Sequence, residues 1–406
     1  MIDKLIEDME LAIRSIRKWP GKKIQLFHHN DSDGLCSGAI LQKAFERAGY
    51  DVNRLSLEKP YPAVLKKIYE QDGRVLVFAD FAGRIAPMIS DFNQGRNLTL
   101  ILDHHVAEAS TDPNVFNLDP ELYGLKGDRD ITASTTCYFF GLAMDPVNRD
   151  MAHIAAIGAV GDKFFEDGRL VSQNREVVME AVKQNRIEIR EHKTGEDYYL
   201  ISEGGPLPCD QLGDYLDTLG AAGFYQNGPD IGIKVCHEGI SPTSDRMVEE
   251  LRAIQIKAFD EQIKRIRNGG LKKTRHIQWF HVKNRFSPMG VKMVGAFCDN
   301  IKNTDDFDPL RYIAGFQIIP NKIPGFGPIP MDEVKISMRV SVSMEEKIRS
   351  GKTMALNILL PEATARVGGF SDACHSLTAA TTVAIGKEAA LIEEMEKILT
   401  KADPAI

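Results

Sequence analysis

Short apolar runs alternate with amphipathic stretches through the first part of the chain, and three of the runs end alike. Ile24 to Phe27 leads into His28, His29, Asn30, Asp31, Ser32, Asp33 and Gly34; Val75 to Ala79 leads into Asp80; Leu98 to Leu102 leads into Asp103, His104 and His105. Continuous apolar runs of this length mark parallel strands buried on both faces. Between them, Leu35 to Ala48, Pro62 to Glu70 and Ile85 to Asn93 read as helices, and Val52 to Leu57 as a further strand. The alternation predicts an α/β domain with a doubly wound, mainly parallel sheet. In such sheets ligands bind beyond the carboxyl ends of the strands, which is where these acids and histidines fall.

A helix over residues 2–18, with apolar positions at Ile2, Leu5, Ile6, Met9, Ile13 and Ile16, precedes the first strand and stops at Pro20 and Gly21. A short strand near Val115 to Leu118 and helices from Thr132 and from Asp150 complete a first domain over residues 1–170; the last helix carries Asp162. Residues 171–271 read as a mostly helical linker, with helical patterns over Gln173 to Lys193 and Thr243 to Asn268 around a Gly- and Pro-rich stretch. Strands return over His276 to Val282, Val291 to Phe297, Tyr312 to Ile319 and Val334 to Ser341. Helices are expected at Thr353 to Leu359, Ser376 to Ala384 and Lys387 to Thr400, giving a smaller α+β domain over residues 272–406.

Bulk properties narrow the chemistry. The 406 residues suffice for two or three domains with their own cores. The cysteines Cys36, Cys137, Cys209, Cys236, Cys298 and Cys374 are scattered without CxxC spacing, so neither a disulfide framework nor a thiolate zinc site is expected. Acids among the first residues argue against a signal peptide, and no apolar segment is long enough to span a bilayer, so the cytosol is the expected location and a membrane is not an expected partner. A net charge of −7 weighs against bulk coating of nucleic acid, while leaving room for a local basic groove or a small anionic substrate.

His29, Asp31 and Asp33 are spaced two apart, so on an extended backbone their side chains would face one point. Carboxylates mixed with imidazoles suit Mn²⁺ or Mg²⁺. With Asp80, His104 and Asp162 there are ligands for two ions sharing one carboxylate, the arrangement that promotes in-line displacement at phosphorus. Gly34 permits a turn into a helix whose first amides could receive phosphate. His28, one residue out of phase, is expected to be packed or hydrogen-bonded rather than a ligand.

The combination of HNDSDG, the acid ending VFAD, LDHH and the later VGD resembles the motifs of the DHH phosphoesterase superfamily, in the same order. Lys335 to Arg339 (KISMR) and Arg366 to Gly369 (RVGG), followed by His375, resemble the companion DHHA1 domain. The resemblance covers most of residues 21–170 and 272–400. It implies a two-Mn²⁺ phosphodiesterase, with Mg²⁺ as the alternative metal. His29, Asp31 and Asp80 would hold one ion and Asp33, Asp80, His104 and Asp162 the other, Asp80 bridging. Asp103 would orient the site and His105 face the scissile phosphate, while Arg339, Gly368, Gly369 and His375 would grip the non-reacting phosphate or nucleotide. A histidine two positions before the first aspartate is the RecJ-like spacing; a departure is that Phe370 to Cys374 separate the glycines from His375.

The expected substrate is a short single-stranded nucleic acid or a nucleotide held between two lobes. Runner-up readings are a small-molecule phosphoesterase acting on a cyclic dinucleotide, pAp or polyphosphate, and, behind it, a non-catalytic binding module. The basic run Lys264, Arg265, Arg267, Lys272, Lys273 and Arg275, followed by Trp279 and Phe280, reads equally as a nucleic-acid groove and as a solvated helix end beside a buried strand. The helical middle is open between a hinge, a surface for a homodimer and an inserted binding element.

Overall fold

A computed structural model describes residues 2–202 and 204–402, and the chain divides into two compact units, Met1–Glu249 and Glu250–Ile406. In the first unit, helix α1 (Ile2–Lys18) turns Leu5, Met9, Ala12, Ile13 and Ile16 inward. Strands and helices then alternate: β1 (Lys23–His29), α2 (Ser32–Arg47), β2 (Asp51–Leu57), α3 (Pro62–Ile68), β3 (Val75–Ala79), α4 (Ala86–Asn93), β4 (Leu98–Leu102) and β5 (Val115–Asn117). Their sheet is parallel throughout, in the order β2-β1-β3-β4-β5. Every residue of β3 and β4 is buried, as continuous apolar runs in a doubly covered sheet should be.

Register does the rest. His28 pairs with Ala79 and Ala79 with Leu102, so the next residues, His29, Asp80 and Asp103, emerge side by side from three adjacent strands. The connections leave β1 in opposite directions across the sheet, which makes this edge the topological switch point. Helices α5 (Ala133–Met144) and α6 (Ala152–Gly161) pack against α2.

The middle of the chain departs from the sequence reading. Helix α7 (Ser172–Lys183) stops ten residues short of Lys193, with Asn185 at φ 54°. An antiparallel sheet follows, β6 (Ile187–His192), β7 (Gly195–Ser202) and β8 (Gly205–Pro208), in which charged and apolar residues alternate at strand period. Helices α8 (Cys209–Asp217) and α9 (Gly228–Glu238) then return to pack on α2. The Asp217 carboxylate accepts the Ser32 amide at 2.8 Å, and the Asn30 Nδ2 donates to the Gly220 carbonyl at 3.0 Å. Residues expected as linker therefore complete the first unit, and the division falls inside α10 (Pro242–Arg265) rather than at residue 170 or 271.

The second unit is α+β. Around its sheet, ordered β15-β16-β14-β11-β10-β9, run β9 (Lys272–Lys273), β10 (Ile277–Lys283), α11 (Met293–Ile301), β11 (Tyr312–Ile318), a small hairpin of β12 (Lys322–Ile323) and β13 (Gly327–Pro328), β14 (Glu333–Arg339), α12 (Val342–Arg349), α13 (Leu356–Arg366), β15 (Phe370–Cys374), β16 (Thr378–Ala384) and α14 (Glu388–Ala402). One sheet face buries Phe316, Ile336 and Met338 against Leu359, Leu360, Leu391 and Met395. Two sequence assignments are reversed. The strand expected at Val291 to Phe297 is α11, and the helix expected at Ser376 to Ala384 is β16. In β16 the β-branched Thr378, Thr381, Thr382 and Val383 suit a pleated surface, whereas α11 packs on the sheet with Gly295 close to Ser337 and Arg339.

Candidate metal centre

Strand β1 ends at His29, and Asp31 is the N-cap of α2, its Oδ1 accepting the Gly34 amide at 3.0 Å. The Asp31 Oδ2 and Asp80 Oδ2 lie 2.8 and 3.3 Å from His29 Nδ1. On the other side of the same carboxylate, Asp80 Oδ1 lies 3.4 Å from His104 Nε2, which is 3.5 Å from Asp162 Oδ2. Asp80 thus offers one oxygen to each of two groups, His29 with Asp31 and His104 with Asp162. It does so from φ 67°, followed by Ala82 at φ 85°, a backbone region that costs a side-chain-bearing residue roughly 1–3 kcal/mol and that is over-represented at functional sites. The Asp80 amide, donating to the Leu102 carbonyl at 2.9 Å, ties this turn to β4.

Asp33 lies in the first turn of α2 and not on an extended backbone, so the alternation expected for His29, Asp31 and Asp33 does not operate. It is fully buried, accepts the Ala133 and Ser134 amides at 2.8 and 3.1 Å, and groups with His104 and Asp162. The first amides of α2 are likewise occupied, by Asp217 and Asp31, which leaves no phosphate cradle at Ser32 and Gly34.

His104 Nδ1 is 2.8 Å from the Gly127 carbonyl, which only a protonated Nδ1 can approach as a hydrogen bond, so Nε2 is the atom turned toward the acids. A Cβ on Gly127 would sit 1.4 Å from the His104 carbonyl oxygen, so this loop can pass only as glycine. Asp103, also buried, receives the His104 amide and His105 Nδ1 on one oxygen, at 2.8 and 2.7 Å, and the Gly83 amide on the other at 2.8 Å. Burial alone would raise its pKa, but the His105 imidazole and these donors hold it below the ordinary carboxylate range. Asp80 and Asp33 go the other way: burial, and for Asp80 then the charge of Asp31, push both above it. For His104, burial works downward and is outweighed by Asp80 and Asp162, which push it up. Such a concentration of buried carboxylates is one that a cation relieves.

The donor set fits hard divalent ions. His29, Asp31 and Asp80 form one group of potential ligand atoms, Asp33, His104 and Asp162 another, and Asp80 with Asp103, His104 and His105 a third; no thiolate takes part in any of them among the described residues.

No family model matches the chain. An uncharacterized protein of Methanocaldococcus jannaschii is 30% identical over 174 residues, a match spanning 41% of this chain and 38% of that protein. Among solved structures, the DHH domain of a member of a ribosomal protein family superposes with TM-score 0.63 at 16% identity, covering 98% of this chain and 92% of its own. The manganese-bound exonuclease RecJ gives 0.59 at 14% identity, covering 98% and 94%. RecJ of Thermus thermophilus in complex with Mn²⁺ gives 0.59 at 15%, covering 98% of this chain and 55% of that one. The chain has the RecJ-like DHH fold. Its first unit has the DHH architecture and its second the DHHA1 architecture.

In the DHHA1-like unit the expected substrate residues separate into two places. Arg339, at the end of β14, pairs across the sheet with Thr378; its Nε donates to Asp299 at 2.7 Å and its Nη1 to the Met338 carbonyl at 2.9 Å. His375 lies in the adjoining β15–β16 turn, where its amide donates to the Thr378 carbonyl at 2.8 Å. Gly368 and Gly369 lie at the opposite end of β15, about 15–20 Å of strand away. Their amides donate to the Ala365 and Thr364 carbonyls at 3.1 and 2.9 Å, closing α13 as a Schellman cap with Gly368 at φ 75°. In the basic run, all six cations are exposed, Phe280 is buried in the core, and only Trp279 is partly accessible, with Lys272 Nζ 4.4 Å from its ring centre.

The sequence reading missed residues that position ligands without touching them. Gly158 is one: a Cβ there would meet Ser134 Oγ at 2.3 Å and Asp33 Oδ1 at 2.6 Å, so α6 can bring Asp162 in only as glycine. Asp119 is another, fully buried, with one oxygen capping the Glu121 amide at 2.9 Å and the other without a hydrogen bond beside Gly83 and Asp103. Burial, then the charge of Asp103, push its pKa well up. Its Asp-Pro dipeptide was the available signal, and it reads simply as a turn.

Proposed function

We propose that this chain is a divalent-metal-dependent phosphodiesterase that hydrolyses short single-stranded nucleic acid from an end, as a RecJ-like exonuclease or oligonucleotidase. The observation that carries the reading is the Asp80 carboxylate, buried and shared between the His29–Asp31 and His104–Asp162 groups. His29, Asp31 and Asp80 would hold one ion and Asp33, Asp80, His104 and Asp162 the other, as Mn²⁺ or Mg²⁺. Such a pair supplies Lewis acidity toward a phosphoryl oxygen and a water acidified enough to act as nucleophile.

The protein's part is positional. Asp103 receives three donors and so fixes both the backbone and the ring of the paired histidines. With Nδ1 of His105 committed to Asp103, its Nε2 is the atom that donates a proton or hydrogen bond to charge developing on the phosphate. Gly127 and Gly158 hold the remaining ligands against the sheet edge. The DHHA1-like unit contributes Arg339 and His375 to substrate binding; Arg339 must share its guanidinium with Asp299 to do so. Six buried cysteines outside any disulfide accord with a reducing cytosol, and among the described residues no helix is long and apolar enough to cross a membrane.

Hydrolysis with Mn²⁺ tests the reading on one panel: a labelled single-stranded DNA oligomer, di- to pentaribonucleotides, cyclic di-AMP and polyphosphate, each repeated with Asp103→Asn. Stepwise release of mononucleotides, absent in the variant, supports it. Turnover confined to the cyclic dinucleotide or polyphosphate replaces the nuclease with a small-molecule phosphoesterase. Metal binding with no cleavage of anything would leave a binding module.

A further inference from the structure

The two histidines that end β1 are treated differently by the fold. His29 faces the acids, while His28 points to the opposite side of the sheet and is completely buried under α2. Gly34 and Gly38, one turn apart on α2, make room for the pair. A Cβ on Gly34 would lie 2.6 Å from the His29 carbonyl carbon and oxygen, and one on Gly38 would lie 2.7 Å from the His28 ring. The His28–His29 peptide is therefore pressed into a groove of α2.

Within that groove the hydrogen bonds form a directed chain. The Arg54 side chain from β2 is divided three ways: Nε donates to Gln42 Oε1 at 2.9 Å, Nη2 to Asp230 Oδ1 at 2.7 Å, and Nη1 lies 3.1 Å from His28 Nε2. A guanidinium can only donate, so Nε2 accepts and the ring proton sits on Nδ1. Nδ1 is 2.7 Å from the carbonyl of His29, to which it donates. The orientation of Arg54 is itself set from α2 through Gln42 and from α9, which packs on α2, through Asp230.

We propose that Asp230, Arg54 and His28 form a positioning relay that fixes the backbone of His29, and through it the metal-facing imidazole; the proposal rests on the two-metal reading of the site. None of the three touches the ions or the substrate. Their contribution is to keep the His29 carbonyl, and with it the direction in which the His29 side chain leaves the strand, from rotating at the point where β1 gives way to α2. Partners bonded directly to a metal-bound imidazole cost roughly 10- to 100-fold in metal affinity when lost, and a partner that acts through the ligand's backbone belongs at the lower end of that range.

The test is Mn²⁺ affinity by isothermal titration on the full chain, with thermal stability measured in parallel without metal. Arg54→Ala and His28→Ala are expected to weaken Mn²⁺ binding about tenfold. His28→Asn, whose amide can still donate to the His29 carbonyl, is expected to recover most of that loss. Asp230→Asn, at a half-exposed position, is the gentler probe should either alanine variant fail to fold, with an expected weakening of severalfold. The control is His153, which is held by the same chemistry, Arg186 Nη2 at 3.1 Å from Nε2 and the Asp150 carbonyl 3.0 Å from Nδ1, but lies nine residues from Asp162. His153→Asn should lower stability and leave Mn²⁺ affinity unchanged. Arg54→Ala, His28→Ala and Asp230→Asn binding Mn²⁺ as tightly as the natural protein would overturn the relay alone. A natural protein that takes up no Mn²⁺ would overturn the metal reading and the relay together.

Discussion

The two units present their candidate residues in opposite ways. In the DHH unit, side chains from the ends of β1, β3 and β4 and from the end of α6 meet at distances of 2.8 to 3.5 Å, with Asp80 and His104 buried and His29, Asp31 and Asp162 partly buried. In the DHHA1-like unit the four residues singled out from sequence divide between the two ends of β15, and the Arg339 guanidinium and the amides of Gly368, Gly369 and His375 are already engaged in holding the fold. A parallel sheet brings the residues following adjacent strands into one row by register alone, so a site at that edge is specified by side chains. A glycine pair identifies only a backbone conformation, which serves a helix cap as well as a phosphate.

The sharpest way to break this contrast is Asp80→Ala. If the two groups share that carboxylate, Mn²⁺ affinity and hydrolysis should both fall by more than the roughly 100-fold that loss of a ligand's outer partner costs. Titration calorimetry and initial rates would check it; retention of both within a few-fold would mean that the convergence is only a cluster of caps and turns.

Stability against pH separates the DHH unit's buried neutral histidines from its metal-facing ones. Burial, then the charge of Arg186, lower the His153 pKa to about 4 from an ordinary value near 6.5. Between those values the unfolded chain takes up a proton that the native ring refuses, so this contribution is full above pH 6.5 and is lost as pH falls toward 4. The limiting loss is about 3 kcal/mol. Urea unfolding from pH 7 to 4 should show a shallower decline for His153→Asn than for the natural protein. Parallel curves would put the charge elsewhere.

Gly158→Ala tests the close approach of α6. The new methyl group has to displace Ser134 and Asp33, an overpacking cost of about 1–3 kcal/mol, visible as a lower urea midpoint. Hydrolysis should fall beyond what the lost stability explains, because Asp33 is moved. Such glycines also mark the limit of what could be read from the chain. Register and apolar runs made β1, β3, β4 and their acidic ends plain, because each signal lies within a few consecutive residues. Gly83, Gly127, Gly158 and Arg54 act through contacts 12 to 176 residues away in sequence, and no local pattern announces them. The antiparallel sheet at 187–208 was hidden for another reason: its charged, half-exposed strands resemble a solvated helix in composition. In α11 tertiary packing overrides a weak propensity, whereas β16 follows the β-branched residues that the helical reading passed over.

Arg339→Ala bears on the other side of the contrast. Its guanidinium is only 16% exposed and bound to Asp299, and the proposed role for it is substrate binding. The expected result is a KM about tenfold higher with kcat nearly unchanged, equivalent to one charge-assisted hydrogen bond of about 1.4 kcal/mol. A kcat falling as far as in Asp103→Asn would place the residue among the reacting groups and remove the distinction between the units.

The smallest effect is expected at Gly368→Ala, and it discriminates most finely. A Cβ there meets no atom within 4 Å, so sterics with neighbours contribute nothing and the cost is that of holding alanine at φ 75°, about 1 kcal/mol. If the Gly368 and Gly369 amides serve as the cap of α13, stability should drop by that amount and KM for any phosphate-bearing substrate should stay where it was. If the amides instead leave the cap to receive phosphate, alanine would disfavour the rearranged backbone differently from the capped one. KM would then move in addition to the same drop in the unfolding midpoint. The first outcome keeps the glycines in the fold; the second returns them to the substrate.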